Sequence, residues 1–450
     1  ERDMADSFGS DKKTYARENL VKVPAAQVQI GMFVAELDRP WLGTPFLLQG
    51  FEVRSKSQIH TLTNHCQYVY VLKEGVPRKA PEVLASSMEP PPKQNAGPLL
   101  PGRLRARVRR QPYVKRTVVR SRPPHEIQKP VRLEHEVARK VLDAGRVNVT
   151  SLLHSASMGQ MLDTQVAEAT VDACVHSILR NPEAMLWMSR IKNRNEYTAE
   201  HCLNVCVLAI AFGRHLHMSE EELQLLGLCG LLHDVGKMHI PTEILDKPGR
   251  LTEAEFEVMK QHTLIGHELL KRQEDGLDHL VLDVALNHHE RPDGRGYPRG
   301  LGEREIAEFS RIISVVDTYD AITSNRCYAP ELPSADAQKI IFENRGTQFD
   351  ETVALQFVKA IGPYPPGTLV ELRNGMAGVV LTGKVHFRHL PTVLLLRDAN
   401  KQPMEERTVE LDLTDTGVLG KEFLIKRSWP DGTFGISLRE CRVQHEPVFL

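Results

Sequence analysis

The sequence predicts a multidomain α+β protein, with a central all-α domain between a small β-rich N-terminal domain and a small β-rich C-terminal module. Three observations predict it. The chain has 450 residues, room for about three domains at roughly 150 residues each. Through the middle, apolar residues recur every three or four positions, as they do on one face of a helix. Toward both ends they shorten into β-branched and aromatic runs cut by Gly, Pro and Asn.

At residues 1–75 the strand-like runs are "VQIGMFVAEL", "PFLLQGFEV" and "CQYVYVL". Residues 76–132 form a linker. It contains "MEPPPKQNAGPLLPG", which is too proline-rich for helix or central strand. A basic stretch follows, with eleven Lys/Arg in residues 103–132 against one acid, Glu126. Such a run can contact anionic lipid or RNA. Few aromatics interleave the charges, which favours a solvated linker or an arm packed on an acidic surface. Residues 133–189 read as a helical connector, with "LEHEVARKVLDAGR" and "DTQVAEATVDACVHSILRN" in helical period.

Residues 190–362 continue the helical pattern. Ser219 with Glu222, and Thr252 with Glu255, each form a capping box ahead of a helix, and Leu251 can staple onto Phe256. Residues 363–450 return to strand-like runs separated by Gly and Asn-Gly turns, an antiparallel pattern.

Bulk properties narrow the function classes. The apolar fraction is 41% and the net charge −1, so there is no global pull toward nucleic acid or membrane. No apolar run approaches the roughly 20 residues of a membrane span, and "ERDMADSFGSDKKTYAREN" lacks the apolar core of a signal peptide. Seven scattered cysteines without a CxxC fit a reduced cytoplasm rather than a disulfide frame.

The chemistry is concentrated in the helical block. "LLGLCGLLHDVGKMHI" places His233 and Asp234 together at the end of a leucine-rich helix, with Lys237 close behind. His201, His262, the pair His288 and His289, and Asp317 complete a ladder of five histidines and two carboxylates. Imidazole suits zinc, manganese and iron, and a carboxylate can bridge two ions. Adjacent helical residues point about 100° apart, so His288 and His289 can reach one ion only at a distorted helix end. A single histidine on an apolar face is more often a core residue, and His215, His217, His239, His267 and His279 are read that way. Cys202 and Cys206 read as small core residues.

The ladder, with "HDVGK" at 233–237, "HHERPDGRGYP" at 288–298 and "DTYDAITSNR" at 317–326, resembles the HD-GYP subgroup of the HD metal-dependent phosphohydrolases. The N-terminal β module and linker resemble the uncharacterised domain that often precedes such enzymes. The resemblance covers about 190–362. It implies an HD-type helical domain that hydrolyses cyclic di-GMP to pGpG, with GMP as a further product left open, in a bacterial cytoplasm.

The family's metal ligands fall on His201, His233, Asp234, His262, His288, His289 and Asp317, with Asp234 bridging two ions, iron or manganese. Its catalytic and substrate-binding positions fall on Lys237, which meets the scissile phosphate, Asp320, near the reacting water, and Arg326. Gly296, Tyr297 and Pro298 form the GYP loop. That loop is either a tight turn or a surface for substrate access or for docking a diguanylate cyclase domain.

Two positions depart from the family pattern. Tyr197 stands where some members carry a glutamate that supports a third metal; Glu196 and Glu200 flank it on other faces. Two ions are therefore expected. Ala329 replaces a basic residue three positions after Arg326, which removes one phosphate contact. The competing reading is a receptor or scaffold that binds cyclic di-GMP without turnover, but none of the seven ligands is lost. A hydrolase of another cyclic dinucleotide also fits. The sequence leaves a homodimer open.

Overall fold

The computed structural model describes residues 19–38, 51–53, 59–60, 62–63, 66–73, 118–191, 197–273, 276–324, 331–383 and 387–441. The proline-rich segment, most of the basic stretch, Glu196, Arg326 and Ala329 lie outside these residues. The chain divides into two compact units, Glu1–Arg110 and Gln111–Leu450. The division falls inside the expected 76–132 linker.

The first unit is a four-stranded antiparallel sheet. Its strands are β1 (Leu20–Pro24), β2 (Phe33–Leu37), β3 (Phe51–Glu52) and β4 (Tyr68–Leu72), in the order β1-β4-β2-β3. In β4 the alternation of Val69 and Val71 with Tyr68 and Tyr70 sends the valines into the core with Val34, Leu37, Val53 and Leu62. β1 was not among the strand-like runs read from the sequence.

The second unit is built on eleven α-helices among the described residues. They are α1 (Val131–Ser157), α2 (Thr164–Arg180), α3 (Pro182–Met188), α4 (Tyr197–His215), α5 (Glu220–Leu232), α6 (Thr242–Leu245), α7 (Glu253–Lys271), α8 (His279–Asn287), α9 (Glu308–Ile322), α10 (Ser334–Glu343) and α11 (Glu351–Ile361). The two capping boxes form at the starts of α5 and α7. An antiparallel sheet follows, of β5 (Leu369–Leu372), β6 (Ala377–Thr382), β7 (Thr392–Arg397), β8 (Pro403–Glu410) and β9 (Ile425–Trp429), ordered β8-β7-β6-β5-β9. The Asn374-Gly375 turn between β5 and β6 has Gly375 at φ +86°, a conformation that glycine adopts without steric cost.

The helices at 133–189 are more than a connector. Leu142, Val149, Ile178 and Trp187 share one continuous core with Leu203, Leu226, Ile312 and Phe357. The C-terminal sheet joins that core through Leu369, Val379 and Leu394, while Val370, Val380 and Val393 on its other face form a separate cluster. The expected limits at 189/190 and 362/363 are therefore not breaks in packing.

At the centre lies α5, whose residues from Leu226 to Leu232 are all buried. Two glycines allow this. A Cβ on Gly227 would meet Val171 and Ile210 side-chain atoms at 2.7–2.9 Å, and one on Gly230 would meet the Cys206 backbone at 3.1 Å. A helix buried on every face has no solvent stripe to present, and α5 spends its length carrying its C-terminal end into the interior.

Candidate metal centre

That C-terminal end is the start of the site. Helix α5 stops at Leu232, and His233 caps it. Asp234 leaves the helical conformation and opens a 3₁₀ turn, Val235–His239. The turn lies hard against α7. A Cβ on Gly236 would fall 2.0 Å from the His262 carbonyl oxygen and 2.5 Å from the Gly266 nitrogen. The glycine of the HDxGK motif is thus a contact point between two ligand-bearing segments.

Asp234 is fully buried and its two oxygens face two sets of donors. On the Oδ2 side, His233 Nε2 is 3.1 Å away and His201 Nε2 3.5 Å, and His201 Nε2 is also 3.1 Å from Asp317 Oδ1. On the Oδ1 side, His262 Nε2 is at 3.4 Å and His288 Nε2 at 3.6 Å. The donors form two groups, His201/His233/Asp234/Asp317 and Asp234/His262/His288/His289, each with its ligand atoms within 4.8 Å of one another. Asp234 alone belongs to both.

The backs of the rings are tied down. His233 Nδ1 lies 2.7 Å from the Gly230 carbonyl, His262 Nδ1 2.7 Å from that of Met259, and His288 Nδ1 2.9 Å from that of Val284. A proton on each Nδ1 donates to its carbonyl and leaves the Nε2 lone pair facing inward. His288 caps α8, so the His288–His289 pair straddles a helix end, with ring centroids 4.1 Å apart.

The electrostatics fit the ligand forms at Asp234, His262 and His289; at His201 burial is outweighed by bonds to Asp234, Asp317 and Asp320, which hold the ring up at about 10. Burial raises the Asp234 carboxyl, but His233, Lys237 and the bond from His201 together hold it well below its ordinary value. Burial pushes His262 down to about 3, and lowers His289 with help from its neighbours His288 and His262. Neutral imidazoles and an ionised carboxylate are the ligand forms of these groups. His233 Nε2 and Asp234 Oδ1 are buried without a hydrogen-bond partner, a costly condition for polar atoms. A divalent cation would relieve it, and the donor set suits one.

One expected site residue stands apart from the ligand atoms. Asp320 does not face the ligand atoms. Its Oδ2 accepts from His201 Nδ1 at 2.8 Å, behind the ring, and its side chain is buried. One helical turn separates Asp317 from Asp320, and that spacing on α9 puts one carboxylate before His201 and the other behind it. Lys237 pairs with Asp234 Oδ2. Glu200, beside the Tyr197 position, lies 3.4 Å from Arg146 Nε.

The GYP loop covers the His289 side. Tyr297 lies over His289, centroids 4.8 Å apart, and its peptide bond to Pro298 is cis. Glu290, which the sequence reading passed over, is buried and accepts the backbone N–H groups of Arg299 at 2.6 Å and Leu301 at 2.8 Å. Its signal was adjacency, an acid directly after two ligands and before a glycine-rich loop. Gly296 is tight, since a Cβ would fall 2.3 Å from the Arg291 nitrogen. Of the histidines read as core residues, His239 bonds the Ala156 carbonyl and His267 that of Leu282, and both stay outside the two donor groups.

An all-α domain that ends its helices around two His/Asp groups sharing one aspartate defines a metal-dependent phosphohydrolase of the HD class. The HD domain family matches residues 181–353, and the domain of unknown function DUF3391 matches residues 20–167. A cyclic di-GMP phosphodiesterase of Pseudomonas aeruginosa is 36% identical over 87% of this chain and 89% of its own length. A cyclic di-GMP phosphodiesterase of Thermotoga maritima is 41% identical over 37% of this chain and 45% of its own. A 3'3'-cGAMP-specific phosphodiesterase of Vibrio cholerae is 34% identical over 38% of this chain and 37% of its own. Among solved structures, an HD-GYP-type protein from Bdellovibrio bacteriovorus aligns with a TM-score of 0.41 at 15% identity, over 75% of this chain and 98% of that one. The chain belongs to the HD-GYP family of phosphodiesterases. No helix among the described residues is long and apolar enough to cross a membrane.

Proposed function

We propose that this chain hydrolyses cyclic di-GMP to pGpG at a site for two divalent cations, with iron or manganese as the metals. The observation that carries the reading is the split of Asp234, one oxygen toward each donor group. His201, His233 and Asp317 would hold one cation and His262, His288 and His289 the other. Bound there, the cations supply charge neutralisation of the phosphate and a lowered pKa for a water between them. Lys237, with Nζ near Asp234 and its side chain partly exposed, is placed to meet a phosphate oxygen. Asp320 fixes the orientation of His201 and the proton on its Nδ1. Tyr297 and the buried surroundings of His289 exclude solvent from one side.

The identity with the Pseudomonas aeruginosa enzyme, over most of both chains, supports cyclic di-GMP as substrate. The Vibrio cholerae relative favours, as a second reading, a hybrid cyclic dinucleotide. The test is metal analysis of anaerobically purified protein, followed by product analysis with both dinucleotides. Two ions per chain and release of pGpG are expected; no metal, or no turnover when metal is replete, overturns the reading. Asp234→Ala should lose both metal and turnover, since it is the residue common to both groups.

A further inference from the structure

We infer that Phe256, with Lys260 and Tyr297, forms a subsite on which a purine base of the substrate stacks. This rests on the proposed function and adds to it a means of gripping the nucleoside.

Phe256 lies in the first turn of α7 and is 42% exposed. A lone exposed aromatic needs no explanation, but this ring is the outer end of a row. His262 and His289 are 5.1 Å apart between centroids, His289 and Tyr297 4.8 Å, and Tyr297 and Phe256 5.9 Å. The row therefore runs from the donor group at Asp234 Oδ1 outward to the surface, and its exposure rises along the way, from buried His262 through part-exposed His289 and Tyr297 to Phe256.

A phosphodiester held at the metal groups would carry its base one ribose away, and the row of rings leads from those groups to the surface. Tyr297 and Phe256 meet at 84° between ring planes, and that contact leaves Phe256 42% exposed.

Lys260 lies one turn beyond Phe256 on the same side of α7. Its Nζ is 4.9 Å from the Phe256 centroid and 5.8 Å from that of Tyr297, and Glu257 pairs with it at 2.5 Å. A cation held over two rings at the rim suits a ligand that joins a π-face to a phosphate. Every base has a π-face, so the subsite grips purines without choosing between them.

The experiment compares two probes that share a phosphate and differ in the base, GMP and ribose 5-phosphate. Both are titrated by calorimetry into metal-loaded wild-type, Phe256→Ala, Phe256→Tyr and Lys260→Ala proteins. Phe256→Ala should weaken GMP roughly tenfold, within the range for loss of one stacked base, and leave ribose 5-phosphate unchanged. Phe256→Tyr keeps a ring and should bind GMP like wild type. Lys260→Ala should weaken both probes, since its cation would meet the phosphate that they share.

The KM for cyclic di-GMP should rise in parallel with the GMP dissociation constant. Unchanged GMP affinity in Phe256→Ala, or equal losses of both probes in that variant, overturns the subsite. A wild-type protein that binds GMP more tightly than ribose 5-phosphate through Phe256, yet leaves cyclic di-GMP intact, keeps the subsite and overturns the parent reading.

Discussion

Asp320 shows how one residue's place alters its chemistry. It lies behind His201 and holds that ring by a 2.8 Å bond, a placement that would orient a metal ligand rather than reach a water at the ligand atoms. Asp320→Asn should lower metal affinity, by about 10- to 100-fold as for other carboxylates behind a ligating histidine. Excess metal should restore turnover, with the pH profile unchanged. A variant that keeps its metal but loses one limb of the pH–rate profile would return Asp320 to proton transfer.

Gly236 is the second case. Its absent Cβ would strike the His262 carbonyl, so Gly236→Ala must push α7 away from the 3₁₀ turn. Overpacking of this kind costs about 1–3 kcal/mol. A lowered melting temperature together with loss of metal at the His262 group is expected, measured by calorimetry and metal analysis. A fully metallated variant of wild-type stability would show that the turn relaxes freely.

Among elements, the informative one is the strap at residues 118–130, the described end of the basic stretch. Arg120 donates to Glu222 Oε1 at 2.9 Å and to Glu308 at 2.8 and 3.2 Å, and Arg122 pairs with Glu222 at 2.5 Å. The Arg120 amide bonds the Leu216 carbonyl, and Arg214 donates to the carbonyls of His125 and Glu126. This part of the basic run is thus an arm packed on acidic groups.

Glu222 lies in the first turn of α5 and Glu308 begins α9, so Arg120 joins the first turns of two ligand-bearing helices. Hydrogen bonds to charged groups are worth about 1.5–3 kcal/mol each when buried, and partial exposure reduces this. Arg120→Ala should cost about 2 kcal/mol, a fall in melting temperature of about 3 °C for a unit of this size. Burial opposes ionisation of Glu222, but the Ser219 N–H, Arg122 and Arg120 hold its carboxyl down at about 2. Its contribution is present above the usual carboxylate value of 4.5 and disappears as pH falls toward 2. The cost of Arg120→Ala, measured by denaturant titration, should therefore shrink between pH 4.5 and pH 2; a constant cost would assign the effect to packing.

At the scale of the second unit, the C-terminal sheet and the helices form one body, and Glu183 is where a charge enters their contact. Its carboxylate accepts the Gly383 N–H at 2.8 Å. Burial pushes it up to about 7, against the pull of that N–H and of Arg388 and Arg214. Between 4.5 and 7 the folded chain holds a proton that the unfolded chain has released. Stability must therefore fall as pH rises through that window. Glu183→Gln should remove this slope, so that the variant gains on wild type between pH 5 and pH 8 in parallel melts. Curves that stay parallel across the window would mean that the carboxylate ionises freely in the folded protein.

Local pattern in the sequence determined the succession of β, helical and β segments, both capping boxes, and the two doublets His233-Asp234 and His288-His289 at helix ends. Period, cap chemistry and the spacing of His233-Asp234 and His288-His289 are properties of neighbouring residues. The tertiary structure alone decided that Asp234 divides its oxygens between two groups, because that depends on where α4, α7, α8 and α9 converge. It alone put Asp320 behind His201, since the 3.6-residue period places Asp317 and Asp320 on one side of α9 without saying which of them lies before the ring. It alone joined residues 133–189 and the C-terminal sheet to the catalytic helices. Helical and strand period mark a face as apolar, but which surface covers that face is set by contacts distant in the chain.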